Sequence, residues 1–269
     1  MAYNIIVCAK QVPDTNEIKT DPETGTLIRD GVPSILNNDD ANALEEALKV
    51  KDAHPGTTIT VITMGPPQAD VMLKECLAMG ADNAILLSDR ALGGSDTWAT
   101  SNAISAGIRK AAEKYGKFDI IFAGSQAIDG DTAQVGPQIA EKLGIPQVSY
   151  VKKFALDGDK VTVERALEDG YEVIELNTPC LLTAIKELNT PRYMFIKGIY
   201  DAEKADITVW GADDIGVDKQ KEVGLKPSPT NVFKSFTPKP KGAGQKVAGD
   251  TEKEMAKNLL ISLKDKNII

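Results

Sequence analysis

The chain has 269 residues, 42% of them hydrophobic and 26% charged, enough to bury one large core with appendages. A formal net charge of −8 disfavours a nucleic-acid partner. Its three cysteines, Cys8, Cys76 and Cys180, lie far apart with no CxxC pair, which argues against a metal or dithiol site and suits a reducing compartment.

Asn4 to Ala9 is a continuous apolar run, as expected of a strand buried on both faces of a parallel sheet. No basic and apolar leader stands before it, and no apolar run approaches the roughly 20 residues that span a bilayer. A soluble, cytoplasmic protein without membrane insertion is expected. Lys10, Gln11 and the Pro13-Asp14 turn follow, at the strand end where open α/β sheets place ligands. Asp21-Pro22, Thr24-Gly25 and Asp30-Gly31 predict a β-hairpin excursion over 17–36. Asn37, Asn38, Asp39 and Asp40 then precede Ala43, Leu44, Ala47, Leu48 and Val50 at helical spacing, predicting a helix start near Asp39 or Asp40. Four adjacent polar side chains exceed what one cap needs, so a ligand contact is weighed equally with a cap. His54, in a polar loop before Pro55 and Gly56, is read as solvent-facing and without a catalytic role.

Thr57 to Met64 is a second strand ending at Gly65-Pro66-Pro67, and Ala69 to Met79 a helix with Gly80 as its C-terminal cap. Asn83 to Leu87 is the third strand. Ser95 or Asp96 caps a helix to about Tyr115, and Asp119 to Ala123 is the fourth strand. This alternation predicts an α/β fold, a mostly parallel sheet with helices on both faces.

The stretch FDIIFAGSQAIDGDTAQV, residues 118–135, organises the rest. Its strand ends at Gly124, a polar loop carries Ser125, Gln126, Asp129, Gly130 and Asp131, and a helix begins near Gln134 with Pro137 in its first turn. Unpaired amides and the positive dipole end at such a helix start attract a phosphate, and Gly124 and Gly130 permit close approach. The plainer alternative is a βα turn capped by Asp131 or Thr132. Lys160 to Glu164 and Gly170 to Leu176 read as an antiparallel hairpin at the sheet edge, and Cys180 to Ala184 as another buried strand. Pro191 to Ile196 puts large apolar residues into a loop. Ile207 to Trp210 is a short strand. From Lys226 the chain becomes proline- and glycine-rich, an extended arm, before a helix over Thr251 to Lys264 with Met255, Leu259, Leu260 and Leu263 on one face. The expected division is a nucleotide-binding domain over 1–225 and an arm with helix over 226–269, packing on a partner chain.

Six ordered segments resemble the β subunit of electron transfer flavoproteins: CAKQVPD (8–14), LNNDDANALEEAL (36–48), ITMGPPQADVMLKECLAMGAD (62–82), AGSQAIDGDTAQVGPQIAEKLGIPQ (123–147), RALEDGYEVIELNTPCLLTA (165–184) and LNTPRYMFI (188–196). The resemblance covers nearly the whole chain. It implies an adenine-nucleotide-binding hydrolase-like fold, a heterodimer with an FAD-carrying α subunit, and a nucleotide held by this chain. Carried over by position, the cofactor site comprises Cys8 and Ala9, Asn37, Asn38, Asp39 and Asp40, and Met64 with Gly65. Its largest part is Gly124, Ser125, Gln126, Ala127, Ile128, Asp129, Gly130, Asp131, Thr132, Ala133, Gln134 and Val135, with phosphate on the amides of 130–135. No residue is assigned as catalytic and none as a metal ligand, because hydride chemistry belongs to the cofactor.

In the family's ordinary carriers this site holds structural AMP. In its electron-bifurcating branch it holds a second FAD, which takes hydride from NADH and sends one electron to ferredoxin or flavodoxin. The other travels through the α-subunit flavin to an acyl-CoA (butyryl-CoA) dehydrogenase. The NNDDAN segment and the QVPDT loop resemble the bifurcating branch, so FAD is expected here, with AMP as the alternative. Activity is expected only in the complex. Ile196 falls where the family's dehydrogenase-docking anchor stands, and Tyr193 and Phe195 are carried as partner contacts beside it. For those two, packing on the chain's own core is the favoured reading. A stress-type nucleotide sensor needs neither the hairpin, the loop nor the arm. A dinucleotide dehydrogenase needs a GxGxxG turn, whereas the first strand runs into Lys10-Gln11-Val12-Pro13.

Overall fold

The computed structural model describes residues 1–14, 33–232 and 241–269. The chain opens on β1 (Asn4–Cys8), and β2 (Gln11–Pro13) pairs antiparallel with β3 (Ser34–Leu36). The predicted excursion over 17–36 otherwise lies largely outside the described residues. Helix α1 (Asn38–Ala53) leads to β4 (Thr58–Met64), α2 (Asp70–Met79) to β5 (Asn83–Leu87), and α3 (Thr97–Tyr115) to β6 (Ile120–Gly124). Then come α4 (Val135–Leu143), β7 (Gln147–Asp157), β8 (Lys160–Leu167), β9 (Gly170–Asn177) and β10 (Cys180–Ala184). Helix α5 (Ile196–Ala202) and β11 (Thr208–Trp210) complete the elements of a unit spanning Met1–Phe233. A second unit, Lys234–Ile269, contains α6 (Glu252–Asp265), capped by the Thr251 hydroxyl, which accepts from the Glu254 N–H.

The first unit is built on a nine-stranded sheet in the order β11-β5-β4-β1-β6-β10-β7-β8-β9. It is parallel from β11 to β7 and antiparallel through β8 and β9. Alternation along β1 explains two cores. Ile5 and Val7 pack under α1 and α2 with Leu44, Leu48, Met72 and Leu73, whereas Ile6 and Cys8 pack under α3 and α4 with Ile104, Ile108 and Ile139. The chain leaves β1 toward β4 and β5 on one side, and α3 then carries it to β6 on the other. Loops therefore diverge at the C-terminal ends of β1 and β6, which is where sheets of this kind hold ligands. Among the described residues no helix is long and apolar enough to cross a membrane.

The structure corrects several expectations. Strand β7 is an addition to the predicted elements, because a bulge near Lys152 breaks its alternation. Helix α5 occupies seven residues where no helix is predicted; it is short and contains Gly198, so no periodic signal announces it. Asn37 holds the N-cap position of α1, and neither Asp39 nor Asp40 caps it. His54 is half-buried, with its ring edge-on to Tyr3 at a centroid distance of 5.1 Å.

Helix α3 lies so close to the sheet that a Cβ on Gly107 would stand 2.8 Å from Leu87 Cδ1 and 2.9 Å from Ile62 Cδ1. Gly107→Val should therefore cost about 1–3 kcal/mol by overpacking. The measurement is the thermal midpoint, and an unchanged midpoint would show that α3 rides up freely.

Candidate functional site

The start of α1 builds the site. Asn38, Asp39 and Asp40 form its first turn, where carboxylates are favoured by the helix dipole. Asp40 is buried and bridges two strand ends. One oxygen accepts the Lys10 N–H at 2.8 Å, just past β1, and the other accepts the Gly124 N–H at 2.9 Å, closing β6. Burial pushes the Asp40 carboxyl up to about 7, against the pull of the hydrogen bonds from Lys10, Asn37 and Gly124. Asp39 accepts the Ser125 hydroxyl at 2.6 Å. Asn37, fully buried, acts as a surrogate strand: its Nδ2 donates to the Gln126 carbonyl at 2.9 Å, and its Oδ1 accepts from the Ile128 N–H at 3.2 Å. Thus three residues at one helix start fix the first half of the loop after β6.

The second half of that loop turns back on itself, with the Gly130 and Asp131 N–H groups both donating to the Ala127 carbonyl. Asp131 and Ala133 take left-handed backbone angles, φ 54° and 52°. Among the described residues, the N–H groups of Thr132, Ala133, Gln134 and Val135 have no hydrogen-bond acceptor. They precede or open α4, whose N-cap position is taken by Gln134 without a side-chain cap. Neither Asp131 nor Thr132 caps it, which corrects the plainer reading of the loop. Four amides left without an acceptor at a helix start could receive a phosphate. The chemistry of the site thus fits a nucleotide.

The remaining predicted residues lie along the same edge of the sheet. Cys8 ends β1 and Met64 ends β4, with Ala9 and Gly65 the next residues along the chain. Cys8 is buried, which raises its thiol pKa and leaves it unreactive. Gly124 works differently from expectation. A Cβ there would lie 2.3 Å from Asp40 Oδ1 and 2.8 Å from the Asp39 backbone carbon, so its bareness is what admits α1. At Gly130 a Cβ would meet nothing within 4 Å, so this position faces open space. Lys10, absent from the predicted site, pairs with the Asp129 carboxylate at 2.6 Å. Their separation of 119 residues left no local signal.

The loop before α5 stands apart from this edge. Tyr193, Phe195 and Ile196 are 92%, 57% and 89% exposed. The core packing expected of Tyr193 and Phe195 is therefore corrected: the loop is tethered to α1 and α2 through its backbone and Arg192, and the two rings stay outside.

Asp40→Asn should cost about 1–3 kcal/mol, because the amide presents a donor to one of two N–H groups that now find an oxygen. The folded chain keeps the Asp40 proton to a higher pH than the unfolded chain does. Rising pH from about 4 to about 7 should thus remove stability from the native protein relative to the variant, with no further change above. Urea midpoints of both proteins across that range check the sign.

The electron transfer flavoprotein domain model matches residues 24–215. The chain is 60% identical over 265 residues to the caffeyl-CoA reductase-Etf complex subunit CarD of Acetobacterium woodii, covering 98% of this chain and 99% of that one. It is 59% identical over 266 residues to the electron transfer flavoprotein subunit beta of Clostridium acetobutylicum, covering 99% and 100%. It is 50% identical over 270 residues to the acryloyl-CoA reductase electron transfer subunit gamma of Anaerotignum propionicum, covering 98% and 99%. The chain belongs to the electron transfer flavoprotein β-subunit family.

Proposed function

We propose that this chain, joined to an α subunit, holds FAD at the edge formed by β1, β4 and β6 and serves an electron-bifurcating flavoprotein. The observation that carries the reading is the run of four unaccepted amides, Thr132 to Val135, at the topological switch beside β1. These amides would hold phosphate, and the partly exposed Lys10, Asn38, Asp39, Met64 and Gly65 would border the rest of the cofactor. When bound, FAD supplies two-electron acceptance and one-electron release. The chain's own part is to orient the group, keep the loop after β6 fixed through Asn37, Asp39 and Asp40, and dock the dehydrogenase through the 193–196 loop. On this reading NADH is the donor. Ferredoxin or flavodoxin takes one electron, and an acyl-CoA dehydrogenase takes the other through the α subunit. The exposed face of α6, with Met255, Leu259 and Leu260, is assigned to the α subunit.

The likeness to a subunit of a caffeyl-CoA reductase-Etf complex supports a CoA-ester reductase or dehydrogenase as the partner, and the bifurcating branch is favoured over the plain carrier by the NNDDAN and QVPDT segments. The same amides would equally hold the phosphate of AMP, so the cofactor itself must be identified. Denaturing release from the co-expressed heterodimer, followed by nucleotide chromatography, decides it. Two FAD per heterodimer are expected, and one FAD with one AMP would reduce the chain to a structural half of a single-electron carrier.

Ala133 offers an independent check on the cradle. A β-branched side chain is strained at its left-handed φ of 52° by roughly 1–3 kcal/mol. Ala133→Val should therefore lower nucleotide retention about tenfold or more, whereas Ala133→Gly retains it. Retention is read by dialysis and released-nucleotide content. Equal retention in both variants would remove the loop from the binding site.

A further inference from the structure

Pro191 to Ile196 raises a physical problem. Four consecutive residues, Tyr193, Met194, Phe195 and Ile196, are exposed, and their side chains supply little to hold the loop in one conformation. The structure holds it from its two ends. Arg192 sends its Nε and Nη2 onto the two oxygens of Glu45, at 2.8 and 3.0 Å, and its backbone N–H onto the same carboxylate at 3.0 Å. Its Nη2 also reaches Asp52 at 2.8 Å. Glu45 is buried on α1, as is the adjacent Glu46, which accepts Asn189 Nδ2 at 2.8 Å; Asn189 in turn exchanges hydrogen bonds with Asn42. At the other end the Phe195 N–H donates to the Ala78 carbonyl, and Gly198 lies so near that a Cβ would stand 2.3 Å from that oxygen.

We infer that Arg192, through its fork onto Glu45, is the positioning residue that presets the exposed loop 193–196 for docking. The inference rests on the docking role proposed above for that loop. A two-pronged guanidinium–carboxylate contact fixes direction as well as distance, which a lysine ammonium does not. Glu45 and Asp52 stand on the helix whose first turn holds the loop after β6. At 1.5 Å per residue, α1 spans about 24 Å from its start to its end, so one rigid rod connects the cofactor edge with the docking loop. Ordering a loop at the moment of docking weakens binding, and a loop ordered in advance avoids that loss.

The test uses the full heterodimer and a bacterial butyryl-CoA dehydrogenase, with Arg192→Ala, Arg192→Lys, Glu45→Gln and the Arg192→Ala/Glu45→Gln double variant. Expected is a rise of roughly tenfold in the KM for the dehydrogenase in Arg192→Ala and Glu45→Gln, with a smaller change in kcat and unaltered nucleotide content. The double variant should be no worse than either single one, and Arg192→Lys should recover only part of the loss. Hydrogen exchange at 193–196 should quicken in the variants even without the dehydrogenase. A rise in KM for Arg192→Ala alone, with Glu45→Gln unchanged, would mean that the guanidinium touches the partner directly and would overturn the positioning role. Ile196→Ala separates the two levels. If it raises KM and the clamp variants do not, the positioning inference fails and docking stands; if it leaves KM unchanged, the docking reading itself fails.

Discussion

The amide and carboxylate contacts at the start of α1 are the constraint on which the rest of this molecule depends. A parallel sheet leaves its strand ends as diverging loops, and nothing in strand pairing dictates how those loops meet. Here Asp40 takes one N–H from beyond β1 and one from the end of β6, while Asn37 pairs with the backbone on either side of Ala127. Each contact satisfies a polar group that would otherwise be buried without a partner, and each removes freedom from a loop. Because Gly124 has no side chain, α1 can come close enough for this to happen.

That arrangement explains why the second half of the loop can stay open. Ser125 to Ile128 is anchored, so Asp131 and Ala133 can hold left-handed angles, and Thr132 to Val135 can keep amides without an acceptor among the described residues. Backbone strain and unpaired donors persist only where the surroundings determine them. A binding edge built this way relies on backbone groups and the helix dipole, which act on phosphate regardless of side-chain identity.

Helix α1 serves two ends. Its first turn organises the loop after β6, and its later turns, through Glu45 and Asp52, receive Arg192. Glu45 is a buried carboxylate on a helix that also buries Asn42 and Glu46, and its burial is tolerable because a guanidinium fork and a backbone N–H satisfy both oxygens. The apolar loop beyond Arg192 is then left outward, off the chain's own core.

Much of this was legible along the chain. Apolar runs of strand length alternating with capped, helix-spaced segments predict the parallel sheet, because periodicity is a local property. The loops proposed to hold the cofactor are readable too, since strand ends, glycine turns and a helix start are recorded in consecutive residues at 8–9, 64–65 and 124–135. What the sequence could not express is the set of partners. Asp39 and Asp40 read as caps but reach 84 to 86 residues away, and Arg192 finds Glu45 across 147. The irregular β7 and the seven-residue α5 are likewise products of packing, since a bulge and a glycine erase their periodic signal. Local pattern determined which elements form, by the pitch of helix and strand. Only tertiary structure decided which polar groups meet, because a hydrogen bond between distant segments depends on where the fold brings them and not on the residues beside them.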